Sequence, residues 1–284
     1  MIMKVIPEFD SRFLTKKEFI TYYCKSSTAM EYILEKKQLR FSSLVETNDP
    51  IEAIKKDMVF IREIQKSLGN NNKYKELTSN LKWSIMNTKI ACFCQNRKHN
   101  PRKDELVFNK GYPKPRMWAQ YGEDQKGICI IFNKIKLIQK CRKYRENNKV
   151  YSLQLVKGSI YYTNAIIRLQ NIFTIMDADL VLTEKQFIQR KERYLFRTKF
   201  LDFKDEHEYR IAFIPHKNTD ESVIGVLPDL YIDISECIEG IICGSKFNKV
   251  YHKIIIDYAK LFNVNAYQLS FKKGYPSFEK LNIT

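Results

Sequence analysis

The chain has 284 residues, and its 49 Lys and Arg against 32 Asp and Glu leave a formal net charge of +17. A hydrophobic content of 44% with 13% aromatic residues is enough for a sizeable core, which excludes an intrinsically disordered chain. The pI near 9.4 makes phosphate backbones and anionic membranes natural partners, although a general lysine-rich bias would produce the same charge.

The first half of the chain predicts short strands mixed with helices. In chain order the pattern predicts a strand at 18–25, a helix after Thr28, a strand at 39–43, a helix at about 51–67, a loop or weak helix at 69–80, and strands at 89–94 and 127–132. Thr28 and Glu31 have the spacing of a capping box. Asp49 and Pro50 suit the N-cap and first turn of the helix that follows them.

The second half continues in the same mixed way. It predicts a helix at 134–145, a strand at 151–162, a helix at about 164–197, strands at about 207–214, 223–227, 239–243 and 265–271, and a helix at about 249–262. Because strands and helices do not alternate regularly, we expect an α+β fold and not a doubly wound sheet. No linker is evident, so we expect one domain over 1–284 with helical insertions at about 51–88 and 164–197.

The cysteines and the chain start indicate an intracellular location. The N-terminus lacks the apolar stretch of a signal peptide, and no run reaches the roughly 18 apolar residues of a membrane span. Seven scattered cysteines favour reduced, buried thiols, so we expect a cytoplasmic protein without a membrane partner. Cys92 and Cys94 form C-x-C, and the four histidines lie far apart, so we expect no metal site.

The segment from Glu206 to Ile211 is the most informative for chemistry. In a strand, Glu206, Glu208 and Arg210 would share one face, because side chains alternate with period two. Two carboxylates on one face raise each other's pKa, whereas Arg210 opposes that effect. A solvated edge strand with an ion pair is the alternative interpretation, and spacing alone favours it.

Two further groups of residues are candidates for ligand binding. Trp118 and Tyr121 precede a strand and could stack on a planar ring, although core packing explains their spacing at least as well. Ser42, Ser43 and Asn48 end another strand and could hold a ribose or phosphate, or merely cap a turn.

Basic stretches between 97 and 149 are the candidates for nucleic-acid binding. Tyr112 and Tyr144 lie among these lysines and arginines, so bases could stack there while lysines meet phosphate. A solvated helix face is an equally good interpretation. The chain has nine glycines and lacks G-x-x-x-x-G-K-[ST] and G-x-G-x-x-G, so nucleotide chemistry would need another scaffold.

Several segments in this order resemble a bacterial family known only as a domain of unknown function. They are Tyr22-Tyr23-Cys24-Lys25-Ser26, Leu39-Arg40-Phe41-Ser42-Ser43 with Asn48-Asp49-Pro50, Cys92-Phe93-Cys94, Met117-Trp118-Ala119-Gln120-Tyr121, Lys126-Gly127-Ile128-Cys129-Ile130-Ile131-Phe132, and Glu206-His207-Glu208-Tyr209-Arg210-Ile211. The match covers roughly 20–245. The chain departs from the family pattern at Gln120, Tyr209 and Cys94, where His, Trp and Ser are usual.

The same order is more distantly similar to the ADP-ribosyltransferase superfamily, particularly toxins that modify nucleic acids. That resemblance implies a split mixed β-sheet core with surrounding helices, and NAD as the substrate, without a metal. It implies that Glu208 is the catalytic carboxylate, Glu206 the first of an E-x-E pair and Tyr121 the central aromatic residue. The residues expected to contact NAD are Tyr23, Lys25, Ser42, Ser43, Asn48, Trp118 and Arg210.

The expected function is therefore mono-ADP-ribosyl transfer to a nucleic acid, with RNA favoured over DNA. A toxin or anti-phage effector with a partner antitoxin would fit such an activity. NAD hydrolysis, with water as acceptor, and a non-catalytic nucleic-acid-binding module remain the alternatives. Labelled NAD distinguishes the first two, and salt-sensitive RNA binding without NAD cleavage would indicate the third.

Overall fold

The computed structural model describes residues 18–47, 72–97, 109–148, 152–164, 196–216 and 226–282. Its strands are β1 (Phe19–Cys24), β2 (Gln38–Ser43), β3 (Lys89–Gln95), β4 (Ile128–Asn133), β5 (Ser152–Ser159), β6 (Tyr161–Tyr162), β7 (Thr198–Lys199), β8 (Glu208–His216), β9 (Leu230–Asp233), β10 (Ile238–Cys243), β11 (Asn265–Lys272) and β12 (Tyr275–Lys280). Its α-helices are α1 (Asn72–Asn87), α2 (Pro115–Gln120), α3 (Lys134–Asn147) and α4 (His252–Leu261), with a π-helix at Thr28–Leu34 and 3₁₀ turns at Leu44–Glu46, Leu201–Glu206 and Lys249–Tyr251.

A ten-stranded mixed sheet organises these elements. Eight strands run in the order β12-β11-β10-β4-β1-β3-β2-β9, and β8 with β5 extends the sheet from β3. Only β10 and β11 pair in parallel within this sheet, as far as the described strands go. The α+β class expected from the sequence is therefore confirmed as a large mixed sheet with several helices.

Continuous apolar runs form the centre of the sheet. In β4, five consecutive residues from Ile128 to Phe132 are buried, and all nine residues of β8 are buried. Strands covered on both faces need apolar side chains at successive positions, which explains why these runs do not alternate. The main core cluster packs on one face, and a smaller cluster around Tyr23 and Trp118 packs on the other.

The sheet divides beside β3. One edge of β3 pairs with β1 at Cys94 and Gln95, and the same strand pairs with β2 at Lys89 and Ile90. Between these two short pairings β1 and β2 diverge, and β8 pairs along the opposite edge of β3. The gap between β1 and β2 is where the candidate site lies.

The helix after β1 differs from the predicted one. Thr28 and Glu31 do not form a capping box, because the segment is a π-helix whose N-cap, Ser27, makes no side-chain capping bond. Instead, the backbone N–H and the hydroxyl of Ser26 donate to the Glu123 carboxylate at 2.9 and 2.8 Å. An acceptor from a distant loop thus satisfies donors at this end.

Some other elements differ from the prediction, and some predicted elements lie outside the described residues. Residues 72–87 form a regular helix where the sequence indicated a loop or weak helix, and β9 and β12 were not predicted. The predicted helix at 51–67, most of the strand at 223–227 and the helix at 164–197 except for residues 164, 196 and 197 lie outside the described residues. The helical insertion at about 51–88 is described only from residue 72 onward.

Candidate active site

A cleft of about 300 Å³ opens at the divergence of β1 and β2. Side chains from β1, β2, β3, β8, α2 and the residues before β8 line it. It collects six of the predicted site residues: Tyr23, Ser42, Tyr121, Glu206, Glu208 and Arg210. These residues are separated by up to 187 positions in the chain (210 − 23), so only the sheet topology brings them together.

Glu206 and Glu208 lie close together, but they do not belong to one strand as the sequence predicted. Glu206 ends a 3₁₀ turn and Glu208 begins β8, so they do not share a strand face. His207 between them has φ of 48°, a left-handed conformation at the junction of the 3₁₀ turn and β8. The solvated edge-strand interpretation is wrong, because β3 and β5 flank β8 and both carboxylates are buried.

Lys199 joins the two carboxylates. Its ammonium group lies 2.7 Å from Glu206 Oε2 and 3.3 Å from Glu208 Oε2. The same ammonium sits 4.3 Å from the centre of the Phe203 ring, a cation–π distance. Its side chain is only 8% exposed, so this charge is withdrawn from solvent along with the two it compensates.

Arg210 supplies the second cation. Its Nε donates to Glu208 Oε1 at 2.7 Å, and its Nη1 donates to the Phe196 carbonyl at 2.9 Å. Two cations thus face two carboxylates, so the cluster is balanced in charge while buried. Such compensation is needed because an unpaired buried charge is strongly destabilising.

Tyr121 extends this cluster toward the cleft. It follows the last turn of α2, and its hydroxyl donates to Glu206 Oε1 at 2.8 Å. Burial, followed by the charge of Glu206, raises the pKa of the Tyr121 hydroxyl above its ordinary value. The group therefore stays protonated at neutral pH and acts as a hydrogen-bond donor.

The remaining predicted residues are placed differently. Tyr23 lines the cleft and donates its hydroxyl proton to the Gly111 carbonyl at 2.6 Å. Lys25 is exposed and Ser43 is buried, and neither lines the cleft. Trp118 is fully buried beneath the cleft floor residue Tyr23 at a ring distance of 5.0 Å, so its ring packs in the core. Asn48 lies outside the described residues.

The polar and charged cleft residues missed from the sequence include Lys199, Cys92, Arg40, Glu46 and Thr47. An isolated Lys or Arg is normally a surface residue, so nothing in the sequence indicated that Lys199 or Arg40 lines a cleft. The C-x-C spacing of Cys92 and Cys94 bears on metal binding, and it gives no indication that Cys92 lines a cleft. Burial, followed by the charge of Glu208, raises the pKa of the Cys92 thiol well above its usual range, so it remains a thiol.

The backbone of Cys92 faces the gap in the sheet. The Gln95 N–H donates to the His207 carbonyl on the β8 side, whereas the Cys94 carbonyl accepts from Thr21 Oγ1 on the β1 side. Because backbone groups alternate along a strand, the N–H and C=O of Cys92 point with those of Cys94 toward β1 and β2. No described strand residue pairs with Cys92 on that side.

A basic corner adjoins the acidic pair, and it consists of Arg97, Lys114, Arg116 and Lys204 around Asp205. The Asp205 carboxylate lies 3.8 Å from Arg97 and 4.0 Å from Arg116, both of whose side chains are well exposed. Lys114 is largely buried and donates to the Glu206 carbonyl at 3.3 Å. The corner therefore carries excess positive charge directly outside the cleft.

The two tyrosines expected to stack on bases differ in their burial. Tyr112 is 2% exposed, and its ring packs edge-on against Phe278 at 5.4 Å. Tyr144 is partly buried, and its ring packs edge-on against Phe213 at 5.7 Å beside the main core. The ring of Tyr112 therefore belongs to the hydrophobic core, which removes it from a base-stacking platform, whereas Tyr144 keeps part of its surface exposed.

His207 predicts a specific pH dependence of stability. Burial, followed by the charge of Lys114, lowers its pKa from 6.5 to about 4. The unfolded chain then binds this proton at higher pH than the folded one, so stability is lost as pH falls from about 6.5 to about 4. His207→Asn, which tolerates the left-handed conformation, should remove about 1 kcal/mol of that loss after allowance for solvent screening.

Urea unfolding of wild type and His207→Asn at neutral and acidic pH measures this difference. The groups nearest the ring are the cations Lys114, Arg97 and Lys204 and the carboxylate Asp205, and all are present in both proteins. The difference between the two proteins therefore reports on the side chain at position 207. Equal loss of stability in the two proteins between pH 6.5 and pH 4 would contradict the assignment to His207.

The fold and the cleft define an α+β protein with a buried, charge-balanced pair of carboxylates at a split in its sheet. Residues 117–211 match the model of a family described as a protein of unknown function, DUF2971. The matched segment includes Tyr121, Lys199, Glu206 and Glu208. No curated protein and no solved structure matches the chain.

Within the described ranges, no group of three or more His, Cys, Asp or Glu side chains is placed to hold a metal ion. The described helices include none that is long and apolar enough to cross a membrane.

Proposed function

We propose that the chain is a mono-ADP-ribosyltransferase that transfers ADP-ribose from NAD to a nucleic acid, with RNA favoured. The observation that carries this proposal is the convergence of Glu206, Glu208 and Tyr121 in one cleft at the split of the sheet. An enzyme of this kind would suit a cytoplasmic toxin or anti-phage effector held inactive by an antitoxin.

Glu208 suits the bond-breaking step. The bond between ribose C1′ and the nicotinamide nitrogen breaks, its electron pair stays on nicotinamide, and positive charge develops on the ribose as in glycoside cleavage. Lys199 and Arg210 hold the Glu208 carboxylate in place, and its oxygens retain lone pairs that can accept a hydrogen bond from the ribose 2′-hydroxyl. A fixed carboxylate beside the ribose would stabilise this transition state.

Glu206 suits the bond-forming step. An acceptor oxygen or nitrogen bonds to C1′ and loses its proton, which a carboxylate can take. Glu206 receives hydrogen bonds from Lys199 and Tyr121, at opposite oxygens of the same carboxylate. Tyr121 would therefore orient the Glu206 carboxylate, as the general base, toward the incoming acceptor atom.

The basic corner supports a phosphate-containing acceptor. Arg97 and Arg116 have side chains 44% and 47% exposed, and both lie beside Asp205, one residue before the proposed base. Charges at this position would attract a nucleic-acid backbone and bring its nucleophile to the cleft.

The test is incubation of the purified protein with NAD labelled in its adenylate phosphate, together with RNA, DNA or protein. We expect the label on RNA, sensitive to ribonuclease, with release of one nicotinamide per label transferred. Wild-type protein that neither releases nicotinamide nor transfers label would contradict the proposal. Label on DNA or protein would retain the chemistry and change the acceptor.

NAD hydrolysis is the second candidate function. The burial of Tyr112 favours it, because this removes a ring that was expected to stack on an acceptor base. Free ADP-ribose accumulating without any labelled polymer would identify water as the acceptor.

A further inference from the structure

A net positive group lies at the β2 end of the cleft, away from the acidic pair. Arg40 Nε lies 3.4 Å from Asp229 Oδ2, and Lys89 Nζ lies 3.3 Å from Asp229 Oδ1. Two cations share one carboxylate, so these three side chains carry one net positive charge, which the Glu46 carboxylate at the same end of the cleft offsets. Lys89 is buried, whereas the Arg40 side chain is 57% exposed and lines the cleft.

Arg40 is the cleft cation that remains accessible to a ligand. Among the described residues, the other two cations lining the cleft, Lys199 and Arg210, are buried and bonded to Glu206 and Glu208. Neither could meet an anion without giving up a carboxylate partner, at a high free-energy cost. Of the residues expected to contact NAD, Lys25 lies off the cleft and Arg210 is occupied by Glu208, so Arg40 is the better partner for a phosphate group.

Two hydroxyl groups accompany Arg40. Ser42 follows it by two positions in β2, and this face of the strand is the more exposed one. Thr47 also lines the cleft, and its Oγ1 is buried without a hydrogen-bond partner among the described residues. A buried hydroxyl without a partner is unfavourable, so a ligand that bonds to it would remove that penalty.

We propose that Arg40, Ser42 and Thr47 form a phosphate-binding subsite that holds the diphosphate of the dinucleotide. The naming of NAD as the ligand rests on the proposed function, whereas the phosphate chemistry rests on the residues themselves. A guanidinium offers two parallel donors to phosphate oxygens, and hydroxyls add single donors. Glu46 lines the same end of the cleft and opposes an anion, so it limits the affinity.

Arg40→Gln tests the subsite by calorimetric titration with ADP-ribose and with ADP. We expect affinity for both ligands to fall about tenfold or more, because a charge-assisted pair of bonds is lost. Thr47→Val should weaken binding about threefold, since it removes one hydroxyl at constant shape. Glu46→Gln should strengthen binding, because it removes the opposing charge.

Arg145→Gln is the matched control, since Arg145 is a partly exposed arginine paired with a carboxylate on α3 and lies off the cleft. Equal affinities in Arg40→Gln and Arg145→Gln would overturn the subsite, as would wild-type protein that binds neither ADP-ribose nor ADP. Because Arg40 is mostly exposed, thermal unfolding should show that its variant folds.

The two proposals fail differently. Binding of ADP that depends on Arg40, without any cleavage of NAD, would retain the subsite and reject the transferase. NAD cleavage that depends on Glu208, with ADP binding unaffected by Arg40→Gln, would retain the transferase and reject the subsite.

Discussion

Glu208→Gln is expected to reduce nicotinamide release from NAD at least about 100-fold, because a neutral amide cannot stabilise the positive charge that develops on the ribose. The loss should appear in kcat, with a much smaller change in the KM for NAD, since the carboxylate acts mainly on the transition state. Measuring nicotinamide release at saturating and limiting NAD separates these two quantities.

The controls must distinguish lost chemistry from lost folding. Glu239→Gln is a matched change, because Glu239 is also a strand glutamate paired with a lysine and an asparagine, on β10. It should leave the rate unchanged. Tyr121→Phe removes a donor to Glu206 and keeps the ring, so it should lower the rate by about tenfold with little loss of stability. A fully active, folded Glu208→Gln would reject the assigned role.

Lys199→Met is expected to lower the free energy of unfolding by about 3–5 kcal/mol, because it leaves buried carboxylates without one of their cations. Glu206 would retain only the Tyr121 hydroxyl among its side-chain partners described here. Chemical denaturation of wild type and variant measures this difference. The same substitution should also reduce NAD cleavage, because both carboxylates lose the group that holds them.

A lysine on the surface, Lys140, provides a geometrically matched control for Lys199. Lys140 also bridges two carboxylates, at 2.8 Å from Asp233 and 3.3 Å from Glu236, but both acids are largely exposed. Lys140→Met should therefore change stability by no more than about 1 kcal/mol. If the two lysine variants lose equal stability, the Lys199 cluster is not desolvated as its burial indicates.

A double variant tests the coupling within the cluster. Glu206→Gln added to Lys199→Met removes the carboxylate that was left uncompensated, so it should restore part of the lost stability. Strictly additive losses would mean that Lys199 and Glu206 do not interact in the folded protein.

The sequence predicted the central strands well, because a short continuous run of apolar residues indicates a buried strand without any knowledge of its neighbours in the fold. It missed β12, which contains Pro276; proline argues against a strand interior but is tolerated on an edge strand, where its missing N–H does no harm. It also missed β9, a four-residue strand at the other edge of the sheet order. Short edge strands carry too little pattern to be recognised.

The candidate site was only partly predictable. The resemblance to transferases named Glu208, Glu206 and Tyr121, and these three do meet in one cleft. It also named Trp118, whose indole instead donates to the Tyr112 carbonyl within the core. An aromatic residue at a given spacing can serve a ligand or the core, and only packing around it decides between them.

By itself the sequence determined the charge of +17, the apolar strands and the order in which its acidic and aromatic residues occur. Local periodicity and composition suffice for these properties. The tertiary structure alone decided that β8 is internal, that Lys199 neutralises Glu206 and Glu208, and that Arg40 remains the accessible cation of the cleft. Charge compensation and burial depend on residues distant in the chain, such as Tyr121 and Glu206, 85 positions apart, which meet only when the sheet forms.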